Sequence, residues 1–236
     1  MRGLGLDVLA KRVSQQTNGK VAKGPFAGMK LNYDLLPVHG APKFLGTYEQ
    51  ELHQVVERAI ELAPPSILNV GCAEGYYAVG FAIRLPHARV WVADADPKAE
   101  RATLTNGAIN GVADRMSAVG IIHSGEFARF LEPCSLLVMD CEGAEFTLLD
   151  SVKDPILLSA DMLVEVHPEF GEADDIAGRF AKTHEITWFE PRERTPADVP
   201  LAPKAEFLEA ANERTGAKCW LFMAARPSLA DQEPAR

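Results

Sequence analysis

The sequence predicts an α/β fold in which a mostly parallel sheet carries helices on both faces. Three observations lead there. A short apolar run, Ile67 to Val70, follows Pro64-Pro65 and ends in a glycine-punctuated turn, and a helical pattern opens at Tyr76. From that point strand-like and helix-like segments alternate, the pattern of a parallel sheet built from βαβ units. The chain then breaks rhythm after residue 185, where two strand-like runs flank a Pro-rich link.

The elements follow in order. Residues 1–46 hold scattered Gly and Pro, among them Gly24-Pro25, Gly40 and Pro42, and predict a short helix followed by an irregular arm. Thr47 to Leu62 reads as an amphipathic helix. Thr47 serves as its cap, Glu49 and Glu51 suit its first turn, and Leu52, Val55, Val56, Ala59 and Ile60 form its apolar stripe. Strands are expected near residues 67–71, 89–94, 116–122, 136–140 and 162–166, with helices near 76–85, 98–110, 126–132, 143–152 and 173–182. A strand at 185–189, a helix near 203–215 and a strand at 218–224 complete the chain as a hairpin-like pair at the sheet edge. The domain therefore runs from 47 to 226, and the tail 227–236 reads as disordered.

With 236 residues, 47% of them hydrophobic, the chain suits one large domain with a small extension. Its net charge is −9, which opposes binding to nucleic acid or to an anionic membrane. The charge is uneven. Arg2, Lys11, Arg12, Lys20, Lys23 and Lys30 face only Asp7 within residues 1–30, so this arm carries +5 and the remainder −14. The basic arm reads mainly as a solvated segment, with contact to an anionic substrate as the weaker reading; the irregular arm could also cover a cofactor as a lid, or reach a second copy in a homodimer. Cys72, Cys134, Cys141 and Cys219 form no C-x-x-C pair, as expected of reduced thiols. No apolar run approaches the roughly 20 residues that span a bilayer, and the N-terminus lacks a signal-peptide core. These features predict a cytoplasmic protein.

The glycine turn reads Asn69-Val-Gly71-Cys72-Ala-Glu74-Gly75. Glycines there let the backbone bend sharply and approach a ligand. The spacing is not the dinucleotide G-x-G-x-x-G, and no Lys-Ser or Lys-Thr follows as in a P-loop. Strand two ends on Asp94, an acid placed to accept from both ribose hydroxyls of an adenosine. A glycine loop with a distal acid and no phosphate chemistry predicts S-adenosylmethionine rather than NAD or ATP. The next acid, Asp96 before Pro97, reads better as a helix cap.

Ligands of such sheets lie beyond the carboxyl ends of the strands. Besides Asn69, Gly71, Cys72, Gly75, Asp94 and Ala95, that edge holds His123 and Ser124 after strand three. It also holds Asp140, Glu142 and Glu145 after strand four, and Glu165 and His167 at the end of strand five. Strands four and five are expected to be neighbours, which would gather Asp140, Glu142, Glu165 and His167. An imidazole among carboxylates can act as general base on an acceptor hydroxyl. Alternatively the four side chains ligate Mg²⁺ or Mn²⁺ and acidify that hydroxyl. Glu145 reads mainly as a helix-start acid, and Tyr76-Tyr77 as packing that could also stack on a ligand.

These residues resemble the FkbM-like family of S-adenosylmethionine-dependent methyltransferases. The matching pieces are L-G-T-Y-E-Q-E-L (45–52), N-V-G-C-A-E-G-Y-Y-A (69–78), V-W-V-A-D-A-D-P (90–97), N-G-V-A-D-R (110–115), M-D-C-E-G-A-E (139–145) and L-V-E-V-H (163–167). The resemblance implies a Rossmann-like sheet of seven strands with the last antiparallel. It implies O-methylation of a hydroxyl on a small metabolite, sugar or natural product. Gly71 and Gly75 would border the cofactor, Asp94 would hold its ribose, Asp140 would face the methyl, and Glu165 and His167 would line the acceptor side. The chain departs from the pattern at Asn69, where an acid is common, and at Asp94-Ala-Asp-Pro97, where E-P-x-P is more usual. Methylation of nitrogen in protein or nucleic acid is the weaker reading, because strand four lacks a D/N-P-P-Y/F loop. A binding domain without turnover would need the glycine loop but not the acids.

Overall fold

The structure, a computed structural model, describes residues 2–36, 40–202, 204–212 and 219–227. Its centre is a seven-stranded sheet made of β1 (Ser66–Val70), β2 (Arg89–Ala93), β3 (Met116–Ala118), β4 (Leu136–Met139), β5 (Asp161–Val166), β6 (His184–Phe189) and β7 (Cys219–Ala225). The spatial order is β3-β2-β1-β4-β5-β7-β6. Strands β1 to β5 run parallel, and β7 is antiparallel to both its neighbours. The edge pair expected from the sequence is present, with β7 inserted between β5 and β6. The predicted last strand extends through Ala225, whereas its Lys218 and the tail from 228 lie outside the described residues.

Every residue of β1 and β4 is buried, as strands covered on both faces must be. Strand alternation divides their side chains between two cores. Ile67, Leu136, Val138 and Leu163 join one, and Leu68, Val70, Leu137, Met139 and Val164 join the other. The first core is closed by α1 (Arg2–Gln16), α2 (Gly40–Leu45), α3 (His53–Glu61), α4 (Tyr76–Arg84) and α8 (Lys204–Ala211). Val13, Val21, Phe26, Met29 and Phe44 of the arm are all buried there. The second core lies under α7 (Ala173–Phe180) and the turns after β3 and β4. α5 (Pro97–Ile109) links β2 to β3, and α6 (Glu145–Leu148) follows β4. No helix among the described residues is long and apolar enough to cross a membrane.

Four predicted elements are shorter than the sequence implies. The helix expected from Thr47 begins at His53, after a 3-10 turn at Gln50–Leu52. Thr47 does not cap it. Its hydroxyl is fully buried and donates to the Ala211 carbonyl at 2.9 Å, tying the arm to α8, while Glu49 turns the chain with φ 44°. The 126–132 segment forms only a 3-10 turn at Phe127–Arg129. Its backbone is held instead by Asp154, which accepts from the amides of Gly125 and Phe127. The 143–152 helix is reduced to α6, four residues long, because Gly143 sits at φ 102° and the chain leaves the helical region at Leu149. Strand β3 stops at Ala118, two residues before Gly120 at φ 75°.

Candidate active site

The order of the sheet reverses at β1, which lies between β2 and β4, and a cleft opens at such a point beyond the carboxyl ends. A cavity of about 330 Å³ occupies it, within the usual size of a small-molecule site. Its walls come from the β1 turn (Val70, Gly71, Ala73), the end of β2 (Ala93, Asp94, Ala95), the turn after β3 (Ile121, Ile122) and the end of β4 (Asp140 to Glu142, with Ala144 and Leu148). Gly71 has φ 75°, and a Cβ there would run into the Asp140 carbonyl, so only glycine lets β1 and β4 close together at this edge. Two non-glycine residues on the wall, Ala73 (φ 47°) and Glu142 (φ 51°), also adopt the left-handed conformation, which carries a steric cost.

Asp94 points both carboxylate oxygens at backbone amides. One accepts from Ala73 at 3.0 Å and the other from Asp96 at 2.9 Å. The glycine turn and the end of β2 are thereby locked together through this one side chain. Asp96 caps α5, accepting from the Lys98 amide at 2.8 Å with Pro97 at the first helical position.

At the far end of the cavity Asp140 and Glu142 meet His167. The imidazole is 1% exposed. Its Nε2 lies 3.5 Å from Asp140, 3.4 Å from Glu142 and 3.4 Å from Glu165. Its other nitrogen, Nδ1, is 2.9 Å from Glu145 Oε1, which also accepts the His167 amide at 2.8 Å. The second Glu145 oxygen accepts the Gly143 amide at 2.9 Å. Burial alone would raise the pKa of Glu145, but the bonds from His167 and the backbone prevail and hold it below the usual carboxylate range. An ionised carboxylate only accepts, so Nδ1 carries the proton and Nε2 is the atom turned towards the other three acids. Burial raises the thiol of neighbouring Cys141, with Glu145 adding to the effect, so it is no nucleophile.

Of the residues predicted for the cofactor, Gly71, Asp94, Ala95 and Asp140 stand on the cavity wall. Asn69, Cys72, Gly75 and Ser124 do not. Asn69 has the alternation of Ile67, so its side chain turns to the arm-side face and donates to the Val138 carbonyl at 3.4 Å. Cys72 is buried in the same core, and burial pushes its thiol up to about 12. Gly75 starts α4 and packs on Thr103. The Ser124 hydroxyl is buried without a hydrogen-bond partner beyond Ile122. Tyr76 and Tyr77 pack edge-on against Phe26 inside the core. His123 is an exposed loop residue.

No protein-family model and no curated protein matches the sequence. Solved structures do match the fold. A Corynebacterium diphtheriae domain described as a precorrin-6Y C5,15-methyltransferase superposes with a TM-score of 0.50 at 11% identity, covering 77% of this chain and 99% of its own. A Clostridium thermocellum protein described as an rRNA methylase gives 0.50 at 10% identity, covering 74% and 95%. At these identities the likeness establishes the fold alone: the seven-stranded, Rossmann-like sheet of class I methyltransferases.

Three features of the site went unread in the sequence. Glu145, taken mainly as a helix-start acid, is the anchor of His167. Ile121, Ile122 and Leu148 supply much of the apolar wall, and a lone apolar residue in a turn carries no signal that it faces a ligand. The left-handed Glu142 precedes Gly143, whose φ of 102° and close packing against Phe170 exclude a side chain. The Glu-Gly dipeptide was the available cue.

Proposed function

We propose that the protein is an S-adenosylmethionine-dependent methyltransferase acting on a hydroxyl of a small molecule, as its resemblance to FkbM-like enzymes suggests. One observation carries the reading: a single cavity runs from Asp94 to Asp140 and Glu142, where it meets the His167 cluster. The wall suits the cofactor's parts. Gly71 presents backbone where a side chain would fill the space. Asp94 is fixed by one amide on each oxygen, and a carboxylate has about four acceptor positions, which leaves room for two ribose hydroxyls. Ala93, Ile121, Ile122 and Leu148 offer apolar surface to a flat base.

When bound, S-adenosylmethionine supplies an electrophilic methyl group on sulfur. The protein's own task is then to align an acceptor oxygen and receive its proton. His167 Nε2 is shut from solvent, so an acceptor in the cavity meets the carboxylates first. Asp140 and the 78%-exposed Glu142 are the groups within reach, with His167 and Glu145 fixing their surroundings. The name of one structural neighbour raises RNA as an acceptor; the charge of −9 argues against it.

Calorimetric titration with S-adenosylhomocysteine, with NAD as control, tests the reading. Micromolar or tighter binding of the first alone is the expected result. Absence of binding would remove the methyltransferase assignment.

A further inference from the structure

Resting on the methyltransferase reading, we propose that Asp140, Glu165 and His167 form a binding site for a divalent cation, and that this cation receives the acceptor oxygen. Three observations carry the proposal. One donor atom from each residue lies within 4.8 Å of the others. Donors that share an ion at about 2.0–2.3 Å sit roughly 3 to 4.5 Å apart, and Nε2 lies in that range from both carboxylates, 3.5 Å from Asp140 and 3.4 Å from Glu165. His167 is also presented as ligating histidines are: its Nδ1 proton is committed to a fully buried carboxylate, which fixes the tautomer and turns Nε2 to the cluster. Finally, Asp140 Oδ1 is a buried oxygen with no hydrogen-bond partner, 3.5 Å from that same nitrogen.

The chemistry asks for such an ion. A hydroxyl resembling water loses its proton near a pKa of ~16, and a carboxylate titrates near ~4, a gap too wide for a carboxylate to bridge alone. A bound divalent ion lowers the pKa of its oxygen ligand by several units. Glu142 lies outside the ligand trio, on the cavity wall, and takes the proton. The acceptor oxygen forms its bond to the methyl carbon as the carbon–sulfur bond breaks. That bond's electron pair returns to sulfur, leaving neutral S-adenosylhomocysteine. A set of one imidazole and two carboxylates favours Mn²⁺ over Mg²⁺, which prefers oxygen alone.

The test is titration of the full-length protein with MnCl₂, followed by the electron paramagnetic resonance of free Mn²⁺, with S-adenosylhomocysteine binding measured on the same samples. One saturable Mn²⁺ per chain is expected, displaced by Mg²⁺ only in large excess. Glu165→Gln and Asp140→Asn should each weaken it at least about tenfold, and Glu145→Gln by about 10–100-fold through the loss of the anchor. Glu142→Gln, outside the trio but 3.4 Å from Nε2, should weaken it less than either ligand variant. Circular dichroism reports whether each variant is folded, and Glu165→Gln should still bind S-adenosylhomocysteine. No saturable Mn²⁺ in protein that binds S-adenosylhomocysteine would overturn the cation site and spare the methyltransferase reading. Binding indifferent to both ligand variants would also overturn it. Mn²⁺ binding without S-adenosylhomocysteine binding would uphold the cation site and remove the reading it rests on.

Discussion

Two groups of buried charge flank the glycine turn, and they are built differently. On the arm side, Lys43 of α2 pairs with Glu74, both nearly inaccessible, and the ammonium also lies 4.5 Å from the centre of the Tyr48 ring. This group is closed and balanced, one cation to one anion. At the far end of the cavity, His167 sits among four carboxylates, two of which reach the cavity wall. This group is open, with four acids beside one imidazole among the described residues. A balanced buried pair fixes geometry, here the arm against the turn that carries Glu74. A surplus of one sign beside a cleft costs stability, and it is retained where a ligand compensates it.

The largest expected effect separates the two groups by stability. Lys43→Met leaves Glu74 buried without its cation and should cost about 3–5 kcal/mol in urea denaturation, with much of the loss recovered in Lys43→Met/Glu74→Gln. Glu165→Gln removes one of several like charges and should leave the melting temperature unchanged or raise it. Equal losses in the two variants would erase the contrast. Activity should sort the other way. His167→Ala removes the imidazole of the proposed cation site and should lower turnover by at least about 10–100-fold with S-adenosylhomocysteine affinity near normal. Full activity in that variant would reduce the cluster to a structural role.

Asp94 tests the cofactor end of the same cavity. Replacing it with Ala removes charged acceptors and frees the Ala73 and Asp96 amides. Affinity for S-adenosylhomocysteine should fall by about 10–100-fold, the worth of hydrogen bonds to a charged group. Unchanged affinity in calorimetry would remove Asp94 from the ligand contacts and return it to the turn it locks.

The fold was legible because its signals are local. Ile67–Val70 and Leu136–Met139 are apolar runs too short for helices, and Gly71 marks the bend between strand and helix. The meeting of Asp140 with His167 followed from placing β4 beside β5, and the register bears that out, with Met139 opposite Val164. What failed to show was whatever depends on which way a side chain turns. Asn69 and Val70 are adjacent, yet one turns to the arm-side core and the other to the cavity. Lys43 gave no sign of burial, since its partner is 31 residues away and the segment around it reads as irregular. Thr47 has the chemistry of a helix cap and spends its hydroxyl on α8 instead. Long-range pairing decided each of these, and no periodicity encodes it.

The smallest effect concerns a second imidazole, and it sharpens the comparison through charge. His53, on the arm side, is pushed down to about 4, first by burial and then by the positive charge of Lys23. In the unfolded chain it titrates near 6.5. Between these values the unfolded state binds a proton that the folded state refuses, so stability declines as pH is lowered from 6.5 to 4. His184, lowered chiefly by burial, acts in the same direction. Glu57 and Glu145, whose pKa values are lowered on folding from 4.5, begin to lose their contribution as pH nears 4.5, so they add to the decline at the acid end of this window. Urea midpoints measured from pH 7 to 4 should therefore fall, and His53→Gln should flatten the slope without abolishing it. An identical slope in that variant would show that His53 is not the group resisting protonation.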